Sequence, residues 1–268
     1  MSEIIINDLD KFIGREDNLR NITRYSLYDV MWYRTDLWIH SRRVAWIVKE
    51  ISPLVKKVFG DKFDEKKAYI SALVHDDAEM IIGDIQAGNK DTMTEEQIHK
   101  LDDLEKEAVK ELVKRFPSNV DGYVYKILLD EAVNKNSLES MVVDWADKYD
   151  GFCEALHEIF AGHQLWTRNV VNKYGTISLP TDHYMKYFSK FEKKFPESKK
   201  LFIEVNQLFK VPEFIDIHKI VKLVKECTAN SINKKTGYLP YDLWISITLK
   251  NGTEEDIANL YRKKEFDS

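Results

Sequence analysis

The chain has 268 residues, of which 44% are hydrophobic and 32% are charged, a balance typical of globular proteins and not of disordered or fibrous ones. Its net charge of −5 argues against binding to nucleic acid or to an anionic membrane through bulk positive charge, although a small phosphorylated ligand could still bind a few basic groups in one pocket. The two cysteines, Cys153 and Cys227, are far apart and form no CxxC motif, which is typical of a reducing compartment. The sequence shows no leader-like run and no stretch of ~20 apolar residues. We therefore expect a cytoplasmic protein without a membrane partner.

The first half of the chain shows helical spacing of its apolar residues. A helix is predicted to begin near His40, and Pro53 predicts a kink or break within it. Its apolar face consists of Val44, Ile47, Val48, Ile51, Val55 and Val58. A second helix is predicted over Glu65–Ile82, with Gly83 as its natural stop.

A capping box at Thr94–Gln97 predicts the start of the next helix. Its inward-facing residues are expected to be Ile98, Leu101, Leu104, Ala108 and Leu112. Further helices are predicted over Val120–Val133 and Ser137–Ala161. Asp121-Gly122 lies within this helical pattern, so no hairpin is predicted there.

The segment Gly162–Pro180 changes character and is predicted to be a connection. Helices rich in lysine and phenylalanine follow it, over Tyr184–Phe195, Ser198–Phe209 and Phe214–Cys227, and a helix cap is expected at Thr253. We therefore predict an all-α fold, with a first domain over residues 1–165 and a helical C-terminal extension over residues 166–268 that packs on the same domain.

The strongest chemical feature is the run from Ala72 to Glu79, which follows apolar helical positions with one imidazole and three carboxylates. Placing such polarity at the end of a buried helix is costly unless the groups are paired or ligate a metal. Imidazole and carboxylate ligands suit Mn, Fe, Co, Ni or Zn, and the absence of thiol ligands disfavours a soft-metal site. Because His75 and Asp76 point about 100° apart on a helix, further ligands must come from other helices.

Two more candidates complete this set. His40 begins a helix whose first turn is polar, and Asp147 lies in an otherwise apolar helical stretch. Asp144, one turn before Asp147, is an alternative ligand. Asp77 points away from the edge that His75 and Asp76 share, and is predicted to be a surface group or a group behind the ligands.

These residues match the H…HD…D pattern of the HD superfamily, and within it the chain resembles the YfbR-like 5'-deoxynucleotidases. The local matches are an Arg-aromatic pair upstream of the first His, an HDxxE run followed by GD, a lysine at the family's spacing, and a closing segment. In this chain they are Arg24-Tyr25, His75–Glu79 with Gly83-Asp84, Lys90, and Leu129-Asp130-Glu131 with Ala146-Asp147. The resemblance covers about residues 20 to 165 and implies an HD-domain helical bundle.

The resemblance also implies a role for each matching residue. The metal ligands would be His40, His75, Asp76 and Asp147. Glu79 would order or deprotonate the attacking water, Asp84 would meet the sugar hydroxyl, and Arg24 and Lys90 would meet phosphate. The extra histidines of binuclear HD sites are missing, since only His99 lies between the HD pair and the last Asp, so one metal ion is predicted. The other histidines, His157, His163, His183 and His218, are predicted to be structural or exposed.

The chain departs from the family at two places. Ile39 stands where the family has Glu, and Ile85–Asn89 stands where the family has a proline-rich loop that bears on nucleoside selectivity. We expect a nucleotide phosphohydrolase that releases phosphate from (deoxy)nucleoside 5'-monophosphates. The alternatives are a dNTP triphosphohydrolase and a non-catalytic HD-type binding or regulatory module. The resemblance also suggests a homodimer.

Overall fold

The computed structural model describes residues 4, 6–25, 31–85, 93–163, 166, 170–171, 177–178, 205, 207, 209–210, 216–226 and 235–261. The α-helices in these parts of the chain are α1 (Arg15–Arg20), α2 (Leu37–Phe59), α3 (Glu65–Val74), α4 (Glu79–Ile82), α5 (Glu95–Arg115), α6 (Tyr125–Asn134), α7 (Leu138–Phe160), α8 (Ile217–Glu226), α9 (Leu239–Asn251) and α10 (Glu254–Asn259). The strands are β1 (Asn119–Val120), β2 (Tyr123–Val124), β3 (Val170–Val171) and β4 (Ile177–Ser178), which form two antiparallel pairs. The fold class is all-α and HD-type, as predicted.

The chain divides into two compact units. The first unit comprises Met1–Leu27, Thr35–Lys49 and Asp61–Ala146, and the second comprises Tyr28–Arg34, Glu50–Gly60 and Asp147–Ser268. Helices α2 and α7 contribute residues to both units. The predicted domain boundary at residue 165 stays a prediction.

The core of the first unit is formed by α3, α5 and α6 together with the N-terminal segment. Its buried side chains are Phe12, Ile70, Val74, Ala78, Ala108, Val109, Leu112, Phe116, Val120, Tyr125, Leu128 and Leu129. Phe12 stacks on Phe116 at a centroid distance of 5.2 Å and meets Tyr125 edge-on at 5.0 Å. Aromatic pairs of this geometry add stabilisation to the burial of apolar area.

The predicted helix Glu65–Ile82 is in fact two helices with a turn at His75–Ala78 between them. The single helix was therefore wrong. His75 and Ala78 keep helical φ and ψ, but the hydrogen bonds of the turn run between residues three apart, as from the Glu79 amide to the Asp76 carbonyl, and not four apart. The stop at Gly83 is confirmed, since its φ of 79° lies in the left-handed region that favours glycine. The amide of Asp77 still donates to the carbonyl of Val74, at 3.1 Å, which keeps the turn tight.

The predicted helix over Val120–Val133 begins only at Tyr125, because a β-hairpin precedes it. Val120 pairs with Tyr123 across the two-residue turn Asp121-Gly122, whose φ angles are 46° and 95°. Positive φ at both central residues is the type I′ geometry that Asp-Gly favours. The interpretation of this dipeptide as part of a helix was wrong.

Other boundaries agree more closely. The capping box at Thr94 is confirmed, and α2 starts three residues before His40 and continues through Pro53 without a break. In α5, Leu101, Ala108 and Leu112 are buried as predicted, whereas Ile98 and Leu104 are exposed by 39% and 54%.

The second unit contains the C-terminal part of α7 with α8, α9 and α10. His157 of α7 lies in its aromatic core, where its two ring nitrogens lie 2.7 Å from the Tyr241 hydroxyl and 2.9 Å from the Leu260 carbonyl. It is structural, as predicted. Helix α9 was not predicted, while the cap at Thr253 is confirmed as a capping box that begins α10.

The predictions for residues 162–227 have mixed outcomes. The predicted connection Gly162–Pro180 contains the strand pair β3–β4, and Phe214–Cys227 contains α8. The predicted helix Tyr184–Phe195 and most of Ser198–Phe209 lie outside the described residues. Across the part of the chain that the structure describes, no helix is both long and apolar enough to cross a membrane.

Candidate metal centre

The turn between α3 and α4 places the HD pair at the end of a buried helix. The last positions of α3, including Ala72 and Val74, have no exposed surface and fix the helix in the core of the first unit. His75 and Asp76 follow directly, with side chains that are 8% and 16% exposed. The apolar run therefore presents both side chains at the end of the helix and largely shields them from solvent.

His40, from the first turn of α2, joins this pair. Its side chain is fully buried, and its Nε2 lies 3.3 Å from Oδ2 of Asp76. Nε2 of His75 lies 3.3 Å from Oδ1 of the same carboxylate. Ligand atoms from these three residues all lie within 4.8 Å of one another.

These separations fit a common metal ion. Two ligand atoms that each lie about 2.1 Å from a tetrahedral ion are about 3.4 Å apart, close to the observed spacing. The structure therefore brings His40, His75 and Asp76 together, and their role as metal ligands stays a prediction.

The hydrogen bonding of His75 provides the test of whether a cation fits. Its Nδ1 lies 2.7 Å from the carbonyl oxygen of Ala72, which can only accept a hydrogen bond, so Nδ1 carries the proton. In the neutral ring Nε2 then carries a lone pair. It is screened from solvent and makes no hydrogen bond among the described residues. A lone pair that faces a carboxylate is unfavourable unless a cation lies between them, and a backbone carbonyl behind the ring is the usual partner of a metal-bound histidine.

Glu79 begins α4, one helical turn beyond His75. Its Oε2 is screened from solvent and has no hydrogen-bond partner among the described residues. Burial raises the pKa of Glu79 well above its ordinary value, and the nearby carboxylates of Asp76 and Asp84 raise it further. A bound cation acts in the opposite direction, so Glu79 is a group whose proton affinity depends on what occupies the site.

Arg24 and Asp84 border the same group of residues. Nη1 of Arg24 lies 3.8 Å from Oδ2 of Asp76, and its guanidinium lies over the ring of Tyr25 at 5.2 Å. Asp84 accepts a hydrogen bond from the backbone N–H of Tyr25 at 2.9 Å. Burial raises the pKa of Asp84, and Arg24 lowers it in part. Tyr25 has a positive φ of 57°, a strained conformation that is common where a backbone serves a site.

Two predicted site residues remain outside this group. Asp147 belongs to the second unit, where its carboxylate pairs with the ammonium of Lys148. The alternative ligand, Asp144, belongs to the first unit and is paired with Lys135. Lys90 lies outside the described residues. The roles of Asp147 and Lys90 stay predictions.

The sequence reasoning missed a buried network behind the ligands. Of the two positions predicted for Asp77, the surface position is wrong and the position behind the ligands agrees with its full burial. Its carboxylate is hydrogen-bonded to the guanidinium of Arg15 and to the hydroxyl of Tyr125. These partners are 62 and 48 residues away along the chain, and no local pattern links them to Asp77. The one feature of the sequence that could have indicated this network was Arg15, which precedes the Arg24-Tyr25 motif.

Comparison with known proteins identifies the family. The profile of the family described as 5'-deoxynucleotidase YfbR-like matches residues 11–195. Two 5'-deoxynucleotidases, from Yersinia pseudotuberculosis serotype I and from Yersinia pestis strain Pestoides F, are each 24% identical over 178 residues, which cover 66% of this chain and 84% of theirs. A solved structure of a conserved hypothetical protein from Pyrococcus furiosus is similar with a TM-score of 0.49 and 20% identity, over 74% of this chain and 99% of that one. Since the profile matches more than half of its length, the chain belongs to the 5'-deoxynucleotidase YfbR-like family.

Proposed function

We propose that this phosphohydrolase releases inorganic phosphate from deoxynucleoside 5'-monophosphates at the centre formed by His40, His75 and Asp76. The curated relatives are named 5'-deoxynucleotidases, which supports this substrate class. The observation that carries the proposal is the Nε2 of His75, which makes no hydrogen bond among the described residues and faces the Asp76 carboxylate within a preformed group of ligand atoms.

A divalent ion of the Mn, Co, Fe, Ni or Zn type would be held by His40, His75 and Asp76, with Asp147 as the proposed fourth ligand. When bound, such an ion supplies Lewis acidity, which polarises a phosphoryl oxygen and makes water more acidic. One ion is proposed, because the sequence between the HD pair and Asp147 supplies no histidine other than His99, which is exposed on α5.

Side chains of the protein would accept the proton of the attacking water and offset the negative charge of the phosphate. Oε2 of Glu79 is buried and has no other hydrogen-bond partner among the described residues, so we assign it as the acceptor of the proton from the attacking water. The guanidinium of Arg24, 3.8 Å from Asp76, would offset the charge that a phosphate brings to this acidic region, and we propose Lys90 for the same task. Asp84, held by the Tyr25 amide, would accept a hydrogen bond from the sugar hydroxyl.

The first prediction concerns the products of the reaction. Purified protein supplied with Mn²⁺ or Co²⁺ should release phosphate from deoxynucleoside monophosphates. Ribonucleoside monophosphates and dNTPs serve as comparison substrates, with chromatographic separation of phosphate, pyrophosphate and tripolyphosphate. The variant H75A, prepared in parallel, should lose the activity and so exclude a contaminating phosphatase.

Two outcomes would contradict this proposal. Tripolyphosphate from dNTPs without phosphate from monophosphates would identify a triphosphohydrolase. Absence of turnover with every nucleotide, together with the absence of stoichiometric metal, would identify a binding or regulatory module. The homodimer and the cytoplasmic location expected from the sequence stay predictions.

A further inference from the structure

A buried network of three side chains lies directly behind the turn His75–Ala78, called the HD turn below. The carboxylate of Asp77 accepts hydrogen bonds from Nε of Arg15 at 2.8 and 3.0 Å, from Nη2 of Arg15 at 2.7 Å, and from the hydroxyl of Tyr125 at 2.7 Å. The Arg15 and Asp77 side chains are 2% and 1% exposed. The network thus joins α1, the HD turn and the first residue of α6.

Arg15 also contacts the chain both before and after the proposed ligands His75 and Asp76. The same Nη2 that contacts Asp77 donates a hydrogen bond to the carbonyl of Leu73. One guanidinium therefore holds the residues on either side of His75 and Asp76, whose own side chains face the candidate ion. Because the guanidinium is planar and its donors are fixed in direction, it restrains the path of the backbone between these two points.

A purely stabilising role would not call for charged residues here. A buried ion pair is often no more stabilising than well-packed apolar residues of the same volume, because both charges lose their hydration. What such a pair does supply is a defined geometry. Burial lowers the pKa of Arg15, but the Asp77 carboxylate outweighs this effect and raises it, so the guanidinium stays charged and the restraint is permanent.

We propose that Arg15, Asp77 and Tyr125 are positioning residues that set the direction in which His75 and Asp76 face the metal ion. The inference rests on the proposed function only in requiring that an ion binds there. Loosening the network would weaken metal binding through the ligands, although none of the three residues contacts the ion. Partners behind metal ligands typically change metal affinity or activity 10- to 100-fold when they are replaced.

The test compares Co²⁺ binding by the variant Tyr125→Phe and by the unmodified protein, with Co²⁺ as the only added ion. This variant removes one hydroxyl and keeps the ring, which packs against Phe12 at 5.0 Å and Phe116 at 6.3 Å. We expect the dissociation constant for Co²⁺, measured by calorimetry in the full chain, to rise about 10-fold. The visible absorption of the bound Co²⁺ should change as well, because these bands report the arrangement of the ligands.

Tyr123→Phe is the matched control. The hydroxyl of Tyr123 donates to Oδ2 of Asp64 at 2.8 Å, and Asp64 caps the opposite end of α3. Like Tyr125→Phe, this variant removes one tyrosine–aspartate hydrogen bond, but at the N-terminal end of α3, which is remote from His75 and Asp76. It should leave both the Co²⁺ affinity and the Co²⁺ spectrum unchanged.

The outcomes separate positioning from plain stabilisation. If Tyr125→Phe lowers the melting temperature but leaves the Co²⁺ affinity and spectrum as they are in the unmodified protein, the network is purely structural and the proposal is overturned. Arg15→Lys, which keeps the charge but not the planar fork, should weaken Co²⁺ binding in the same way, and unchanged binding would also count against it. Normal Co²⁺ binding by the unmodified protein without hydrolysis of monophosphates would defeat the proposed function alone. Failure to bind Co²⁺ at all would defeat this inference.

Discussion

Three carboxylates of the first unit, those of Asp76, Glu79 and Asp84, influence one another electrostatically beside the imidazoles of His40 and His75, and the repulsion between the carboxylates favours a cation among them. Asp76 lies 3.3 Å from each of the two imidazoles, and Asp76 and Asp84 both raise the pKa of Glu79. Arg24 offsets only part of this negative charge. We proposed a different role for each of these carboxylates, so the removal of each should have a distinct effect.

Glu79→Gln should separate metal binding from turnover. The variant keeps the shape of the side chain but removes the proton acceptor, so we expect turnover to fall roughly 10²- to 10⁴-fold while the metal stays bound. Phosphate release and metal content by atomic emission are the two measurements.

The control for this variant is Glu139→Gln. Glu139 is also a buried carboxylate of the first unit, and it accepts a hydrogen bond from the Asp64 amide at 3.1 Å. Turnover close to that of the unmodified protein is expected. Loss of metal from Glu79→Gln would contradict the assignment and make Glu79 a ligand.

The proposed metal ligands could be predicted from the sequence, whereas the residues that hydrogen-bond behind them could not. His40, His75 and Asp76 could be grouped because their side chains share one chemistry and a spacing known from the HD pattern. Arg15 and Tyr125 could not, because an arginine and a tyrosine have many ordinary uses and only the fold brings them to Asp77. For Asp77 the sequence left two positions open, on the surface or behind the ligands, and its burial in the fold decides for the second.

At the level of elements, the turns were harder to predict than the helices. The capping box located the start of α5, and the apolar spacing located α7 to within one residue at each end, since a buried helical face leaves a periodic pattern. The break at His75–Ala78 leaves no such pattern, because the residues on both sides continue the helical spacing. Asp121-Gly122 was a local hairpin signal that the surrounding apolar residues obscured.

Helix α5 provides a prediction about capping. The hydroxyl of Thr94 accepts a hydrogen bond from the Gln97 amide at 3.3 Å, and the Gln97 side chain accepts one from the Thr94 amide at 2.8 Å. Thr94→Ala removes the hydroxyl that accepts the hydrogen bond from the Gln97 amide, so we expect a loss of about 1 kcal/mol in the free energy of unfolding. Urea denaturation followed by circular dichroism measures it.

Thr94→Ser is the control, because it keeps the hydroxyl that caps the helix. It should restore nearly all of the lost stability. Equal destabilisation by both substitutions would show that the methyl group of Thr94, and not the cap, is what matters.

For the molecule as a whole, metal binding and stability should be linked. An ion that binds only the folded chain stabilises it by about 2.7 kcal/mol when its free concentration is 100 times the dissociation constant. We therefore expect Mn²⁺ to raise the melting temperature and a chelator to reverse the rise.

The substitution His75→Ala should abolish this thermal shift. His99→Ala is the matched control, since His99 is an exposed histidine of α5 in the same unit. Its thermal shift should equal that of the unmodified protein. A shift that persists in His75→Ala would place the responsible ion elsewhere.

The hydrogen bonds from α1 and α6 to the HD turn have a consequence for how the sequence of this protein can change in evolution. Arg15 and Tyr125 restrain the turn from the side of the core, whereas the segment Ile85–Asn89, where the sequence departs from the family, follows the ligands along the chain. On the roles proposed above, substitutions in that segment leave the restraint on the turn in place. Substrate choice and hydrolytic chemistry would then be separately heritable traits.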